Sequence, residues 1–332
     1  MRVTPDLDPS LGLVARPPTL DDVPAITALM NAADLHDYGA AEMSEDEVRD
    51  DLGRVDLETD AWLVHDAGRR EGDPIAFADL ARRGGGAVWE GYVVVLPQRR
   101  RRGIGTALAR ALETRAGERV GEAPAGVRVM FQGWIKGSSE EDRAWAHALG
   151  MEGQRTFLRM RIDLAERPPA PEWPEGIRPR PFVLGQDEVA THDAITEAFA
   201  DHWGHLDVPF DEWVTRTRSH SFDAGLWILA MEGDEIVATS LGSAGAEGGW
   251  IGGLGTRRAW RGRGVAAAIL REHFRVFWDR GIRTVQLGVD ADSLTGATRL
   301  YEKAGMRVTE RYEQVAMVLR EGRDVAVRSL DG

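Results

Sequence analysis

Two segments of this chain carry one chemical pattern: Arg100-Arg101-Arg102-Gly103-Ile104-Gly105 and, 161 positions later, Arg261-Gly262-Arg263-Gly264-Val265-Ala266. Each follows a strand-like run and opens a helix-like one. In the spacing Arg-x-x-Gly-x-Gly/Ala, small residues let the backbone approach an anion closely, and helix N-terminal N–H groups can then meet its charge. The chemistry such a loop serves is capture of a pyrophosphate. Only the second copy is followed by a tyrosine, Tyr301, where a proton donor would be wanted. Aligning Gly150-Met151 with Gly305-Met306 puts Ala146 opposite Tyr301, and alanine has no proton to give. Two anion-binding halves are expected, with any chemistry in the second.

The elements that must position these loops can be traced in the same order on both sides of a proline-rich stretch. That stretch, residues 164–176 (LAERPPAPEWPEG), contains four prolines, which neither continue a helix nor sit in a central strand. It reads as a semi-rigid linker between an N-terminal domain, 1–163, and a C-terminal one, 177–332. Each half starts with a short extended segment, 12–16 or 177–181. A helix then opens on acidic residues, 21–35 or 187–200, as the helix dipole favours, and a shorter helix follows, 44–52 or 209–218. Two strands form a hairpin, 62–65 with 75–80 and 226–231 with 236–241, and a third strand, 87–95 or 249–255, enters the glycine loop. Beyond the loop, 104–115 and 265–280 have helical spacing, with Leu108, Leu112 and Ile269, Phe274, Phe277 as apolar faces. A strand, a helix and a last extended segment complete each half. Strands and helices alternate only in part, so the fold class is α/β with a mixed sheet (α+β in character) rather than a doubly wound parallel one.

Composition narrows the function. The 332 residues suffice for two ordinary domains, and 43% apolar with 29% charged residues supports packed cores. No stretch is long and apolar enough to span a membrane and the N-terminus has no leader-like run, so a cytoplasmic protein is expected. Cysteine is absent, which removes disulfides and thiolate nucleophiles, and the eight histidines form no HExxH pair. No metal is expected, although His202 and His205 share a segment with Asp201 and Asp207. The net charge of −13 disfavours nucleic acid and anionic membranes and favours a cationic partner. Arg99 to Arg102 has a rival reading as a nucleic-acid patch, which lacks interleaved aromatics.

The strand, loop and helix in both halves, together with Ala297-x-x-Leu300-Tyr301-Glu302-Lys303-Ala304-Gly305-Met306, resemble the GNAT superfamily of acyl-CoA-dependent N-acetyltransferases, in a tandem arrangement covering nearly the whole chain. The resemblance implies two tandem GNAT-like acyl-CoA N-acyltransferase domains, with acetyl-CoA as acyl donor. It implies that Arg261, Gly262, Arg263, Gly264, Val265 and Ala266 cradle the pyrophosphate, Arg261 adding charge. It further implies that backbone groups of Gly253, Leu254 and Gly255 position the pantetheine arm, and that Tyr301 protonates the leaving thiolate. A phenol with an ordinary pKa near ~10 suits a thiolate of comparable basicity. Ser293 stands where the family often has asparagine. In the first half the matching coenzyme-binding residues are Val93, Val94 and Val95 with Arg100, Arg101, Arg102, Gly103, Ile104 and Gly105. That half is expected to be degenerate. Phe222-Asp223-x-x-Leu226 and Val289-Asp290-Ala291-Asp292 resemble a tandem group of the superfamily in which the second half is active.

The general base is unassigned: Trp250 and Ile251 occupy the strand where some members carry a carboxylate, leaving Asp290, Asp292, Glu247 or water. Tyr301 has a rival reading as a core aromatic beside Leu300. The segment Asp201-His202-Trp203-Gly204-His205-Leu206-Asp207 reads either as the wall that admits the acceptor or as a polar loop with one packed indole. The expected function is acetyl transfer to a primary amine of a small, cationic molecule by a monomer or homodimer. Its rivals are a non-catalytic acyl-CoA-binding module and a protein or peptide N-acetyltransferase.

Overall fold

The computed structural model describes residues 3–39, 41, 43–68, 73–245, 248–293 and 296–326. The chain forms two compact units. The first comprises residues 1–154 and 313–325, the second residues 155–312 and 326–332.

In the first unit the elements are β1 (Leu13–Arg16), α1 (Val23–Tyr38), α2 (Glu45–Leu52), β2 (Ala61–Asp66), β3 (Ala76–Arg83), β4 (Val88–Val95), α3 (Ile104–Glu118), β5 (Val129–Lys136), α4 (Glu140–Ala148) and the start of β6 (Glu152–Asp163). Strands β1 to β4 pair antiparallel in sequence order, and β4 then pairs with β5 in parallel. The sheet is therefore mixed. One face carries α1 and α2 over Ile26, Leu29, Leu63 and Phe77; the other carries α3 and α4 over Trp89, Leu108, Leu112 and Phe131. Helix α2 begins at a reciprocal cap, in which Ser44 Oγ accepts from the Glu47 N–H and Glu47 accepts from the Ser44 N–H at 2.9 Å.

The second unit repeats the order with β7 (Ile177–Pro181), α5 (Glu188–Phe199), α6 (Phe210–Trp213), β8 (Trp227–Glu232), β9 (Glu235–Gly245), β10 (Gly248–Thr256), α7 (Val265–Asp279), β11 (Thr284–Asp290), α8 (Ala297–Lys303) and β12 (Arg307–Arg320). Again the first four strands are antiparallel and β10 pairs with β11 in parallel. Helix α7 packs Ile269, Leu270, Phe274 and Phe277 inward. The expected helix 209–218 is one α turn, α6, continued by a 3₁₀ segment, Val214–Arg218. Among the described residues no helix is long and apolar enough to cross a membrane.

The units do not divide at the proline-rich stretch. Residues 157–163 of β6 pair in unbroken antiparallel register with β11, from Phe157 opposite Asp290 to Asp163 opposite Thr284, which ties them to the second unit. Conversely, residues 313–325 belong to the first: Arg323 exchanges backbone hydrogen bonds with Gly126 and Arg128 (2.8 and 2.9 Å), and Val315, Met317 and Leu319 join the core beneath α3. Residues 164–176 lack regular structure, yet they lie against α7 rather than hanging free. Arg167 pairs with Asp279 at 2.7 Å, the Pro168 carbonyl accepts from Arg275 at 3.3 Å, and Trp173 packs beside Ile269.

Candidate active site

Each glycine loop turns from strand into helix through a left-handed residue. Gly103 (φ 78°) and Gly264 (φ 85°) are the N-caps of α3 and α7, and neither offers a side-chain cap. The N–H groups of the first turn, starting at Ile104 and Val265, therefore have no intrahelical acceptor and point out of the loop. Nothing lies within 4 Å of where a Cβ would stand at Gly103, Gly262 or Gly264, so the backbone is open to an approaching anion. Arg101 takes the place of Gly262 in the first half and is the one non-glycine residue at positive φ (61°) among those described. It holds a strained conformation that glycine adopts freely.

The arginine that opens each loop does a different job from the one expected. Arg261 gives both Nη groups to Asp201 (2.6 and 3.1 Å), a further bond to the Ala198 carbonyl (2.9 Å), and Nε to the Thr256 carbonyl (3.2 Å). Arg100 repeats this, with both Nη groups on Asp37 (2.7 Å each) and Nε on the Val95 carbonyl (3.1 Å). Each guanidinium braces the end of the strand to the end of the first helix. Asp201 is correspondingly held below the usual carboxylate range by the Arg261 hydrogen bonds. Arg101 pairs with Glu141 at 2.6 Å. Arg102 and Arg263, both exposed, have no partner among the described residues and are the side chains left to meet a phosphate.

The strand before each loop diverges from its parallel neighbour. Strand β10 pairs with β11 only from Gly249–Val285 to Ile251–Leu287, yet it runs on to Thr256 against β9. Strand β4 likewise pairs with β5 only from Val88 to Glu90 and continues to Val95. Val93, Val94, Val95 and Gly253, Leu254, Gly255 lie on these diverging ends, where backbone polar groups on one side have lost their strand partner. The halves differ in one respect: β10 shifts register against β9 between Ile251 and Gly253, a bulge centred on Gly252, whereas β4 keeps eight consecutive pairs with β3. Nothing in the sequence marked the bulge apart from a glycine within a strand. Gly255 serves packing: a Cβ there would stand 2.7 Å from Ala198 Cβ, so its missing side chain lets α5 seat on the strand.

Tyr301 lies on α8, 7% exposed, in the core cluster with Leu158, Leu287 and Met306. Its hydroxyl meets no partner among the described residues, and burial pushes the phenol up to about 12. It stays protonated at any physiological pH. The alignment with Ala146 is visible in the helix ends: Met306 and Ala304 donate to the Tyr301 carbonyl (3.0 and 3.1 Å), just as Met151 and Leu149 donate to that of Ala146 (3.0 Å each). The ring is packed, as in the core-aromatic reading, while the hydroxyl is left unspent among the described residues.

Of the carboxylates considered as base, Asp290 is clamped by Arg155 through two bonds of 2.9 Å and also accepts from the Asp292 N–H. Asp292 is 72% exposed beside the same arginine, and Glu247 lies outside the described residues. Ser293 forms the turn after β11, its N–H on the Asp290 carbonyl at 3.1 Å. Trp250 lies with its indole against the positions of Gly252 and Gly288, where β10 and β11 begin to part. In the 201–207 segment Asp201 is committed to Arg261, and Trp203 packs against Phe157 with the Arg155 guanidinium 5.5 Å from its ring. His202 packs at a tilt against Phe199, ring centroids 4.4 Å apart, and is kept neutral by burial, which lowers its pKa against the pull of Asp201.

A model of the acetyltransferase (GNAT) family matches residues 26–128 and again 189–306. The chain belongs to the GNAT acetyltransferase family. A mycothiol acetyltransferase of Catenulispora acidiphila is 33% identical over 313 residues, spanning 89% of this chain and 95% of that one. Another, of Nocardiopsis dassonvillei, is 34% identical over 262 residues, 71% of this chain and 76% of the relative. Among solved structures, a GCN5-related N-acetyltransferase from Sphaerobacter thermophilus matches at TM-score 0.80 and 40% identity, over 97% of this chain and 98% of that one. A tandem GNAT protein from the clavulanic acid biosynthesis pathway shares the fold at TM-score 0.66 and 16% identity, over 94% and 100%. Both halves are thus GNAT domains, and the protein is an N-acetyltransferase of a family that uses acetyl-CoA. The tandem likeness read from the sequence reappears in these relatives.

Proposed function

We propose that this GNAT protein transfers acetyl from acetyl-CoA to a primary amine of a small, cationic molecule, and that the second half carries the reaction. The observation that carries the assignment is the pair Tyr301 and Ala146 at matched helix ends, with a bulge at Gly252 in the second half alone. Acetyl-CoA supplies an acyl group already activated as a thioester. On the protein's side, the open backbone at Gly262 and Gly264, the uncapped start of α7 and Arg263 would hold its phosphates. The diverging end of β10 offers unpaired backbone groups to its extended arm. Tyr301 holds a proton at its hydroxyl, ready for the leaving sulfur, and the ring's burial excludes water from that transfer. Asp290 is tied to Arg155, so we assign deprotonation of the amine to water.

Two lines support a small acceptor with positive charge: relatives named for mycothiol rather than for a protein, and a net charge of −13. Mass spectrometry of products from acetyl-CoA with a panel of amines and peptides tests the reading. Acetylated small amines, with loss of turnover in Tyr301→Phe but not in Ala146→Ser, are expected. Products confined to peptides, or turnover indifferent to Tyr301→Phe, would overturn it.

A further inference from the structure

A polar pair is sealed in the core of the second unit where the first unit has two apolar side chains. His273 on α7 and Ser240 on β9 are both fully buried, and a hydrogen bond of 2.7 Å joins Ser240 Oγ to His273 Nδ1. Burial, helped by the positive charge of Arg280, pushes the imidazole down to about 3, so the ring is neutral at working pH. It stacks on Phe277, with centroids 4.4 Å apart and planes 3° from parallel. Both rings use space left by glycines: a Cβ on Gly242 would stand 2.6 Å from the imidazole, and one on Gly249 would stand 2.5 Å from the Phe277 ring.

These contacts frame the bulge at Gly252. Ser240 pairs with Leu254, and Gly242 pairs with Ile251. Between those two pairs β9 has one residue, Leu241, whereas β10 has two, Gly252 and Gly253. The imidazole therefore meets β9 on both sides of the register shift, by a hydrogen bond at Ser240 and by close fit at Gly242. The first unit supplies the contrast. Counting back 161 positions, His273 corresponds to Leu112 and Leu254 to Val93, whose partner on β3 is Ala78. Leu112 and Ala78 lie in one apolar cluster, and β3 and β4 pair there without a bulge. An imidazole and a hydroxyl in this place cost desolvation that leucine and alanine avoid, so what they supply is a defined register rather than stability.

We propose that His273, acting through Ser240, is a positioning residue for acetyl transfer: the pair fixes the register shift between Ile251 and Gly253, and so sets how the backbone of Gly253 and Leu254 meets the coenzyme arm. The inference rests on the reading that the second half carries the reaction. A bulge re-aims the strand beyond it, and slippage to regular pairing would turn the residues on one side of it to the opposite face. His273 has no exposed surface, so it acts only through the strands it holds.

The test uses the full chain labelled with ¹³C′-isoleucine and ¹⁵N-glycine, free of ligand. Ile-Gly occurs at 104–105 and 251–252 alone, so correlating each carbonyl with the following amide gives two signals, Gly105 and Gly252, the second assigned by its loss in Gly252→Ala. His273→Leu and Ser240→Ala should each move the Gly252 signal and leave that of Gly105 in place. With the phosphates still met at the loop, KM for acetyl-CoA should change by no more than about twofold, while kcat falls about tenfold in His273→Leu and severalfold in Ser240→Ala. The double variant should be no slower than His273→Leu, since the two residues share one interaction. If His273→Leu does not fold, Ser240→Ala, which removes one oxygen, decides by the same signal and the same rates. An unmoved Gly252 signal would overturn the proposal, as would a double variant whose loss is the product of the single losses. So would a moved signal with unchanged kcat while Tyr301→Phe lowers turnover. With Tyr301→Phe equally silent, the moved signal upholds the role of His273 in the register, and the assignment of the reaction to the second half falls instead.

Discussion

Replacing Tyr301 by phenylalanine removes a single oxygen from a side chain that is 7% exposed and whose hydroxyl is unpaired among the described residues. No hydrogen bond is broken and no cavity of consequence opens, so folding stability should change by less than about 1 kcal/mol. The acetyl-CoA KM should likewise hold, since the phosphates are met at the loop. The loss should fall on kcat: a positioned general acid contributes about 10²- to 10⁴-fold, equivalent to about 3–5 kcal/mol of barrier. The raised phenol adds a second signature. A tyrosine at its ordinary value would deprotonate near pH ~10 and bend the rate downward there. With the group pushed up to about 12, the neutral acid persists through that range, and log kcat should show no falling limb at pH 10 from this residue. Steady-state kinetics of both proteins from pH 6 to 10.5, with thermal melts, measure all three quantities. A mutant retaining more than about a third of wild-type kcat, or a wild-type limb at pH ~10 that vanishes in the mutant, would refute the reasoning.

Gly264→Ala forces a residue with φ 85° to carry a Cβ; with nothing within 4 Å to clash, the cost is conformational, about 1–2 kcal/mol, read as a lower Tm. Gly255→Ala should cost about 1–3 kcal/mol by pressing a methyl to 2.7 Å from Ala198, with KM for acetyl-CoA rising as α5 shifts. Arg261→Gln leaves Asp201, among the described residues, with Arg258 alone at 3.8 Å and takes a donor from two carbonyls, so urea melts should show a loss of about 2 kcal/mol. Were Arg261 instead a phosphate ligand, its loss would flatten the salt dependence of KM and leave the melt unmoved; Arg263→Gln is the variant expected to do that. At low pH, Asp22 is held at about 2 by Arg16, so its contribution is complete above its unfolded value near ~4 and is lost as pH falls toward 2. Asp22→Asn should abolish that part of the acid transition followed by circular dichroism.

The order of elements was readable because hydrophobic periodicity and the loop glycines are local signals. So was the contrast between Ala146 and Tyr301, which needed only the alignment of two Gly-Met pairs. What escaped was non-local. Arg100 and Arg261 look like phosphate ligands beside their glycines, but their partners Asp37 and Asp201 lie 63 and 60 residues upstream. Gly255 looks like a gap left for a ligand, and α5 fills it. The bulge at Gly252 is a relation between two strands, and only the pairing with β9 shows it. The proline-rich stretch marks where the repeat restarts, but the strand pairing that assigns residues 157–163 to the second unit lies on its N-terminal side.

That residues 313–325 complete the first unit also bears on synthesis. Domains ordinarily finish folding in the order in which they leave the ribosome. Here Val315, Met317 and Leu319, which cover part of the first core, are made only after residues 155–312 of the second unit. The first half must therefore wait, with that core uncovered, until the second has been translated in full. A nascent chain stopped after residue 163 should bind a chaperone or aggregate, and separately expressed halves should fold only when residues 313–325 are joined to the first.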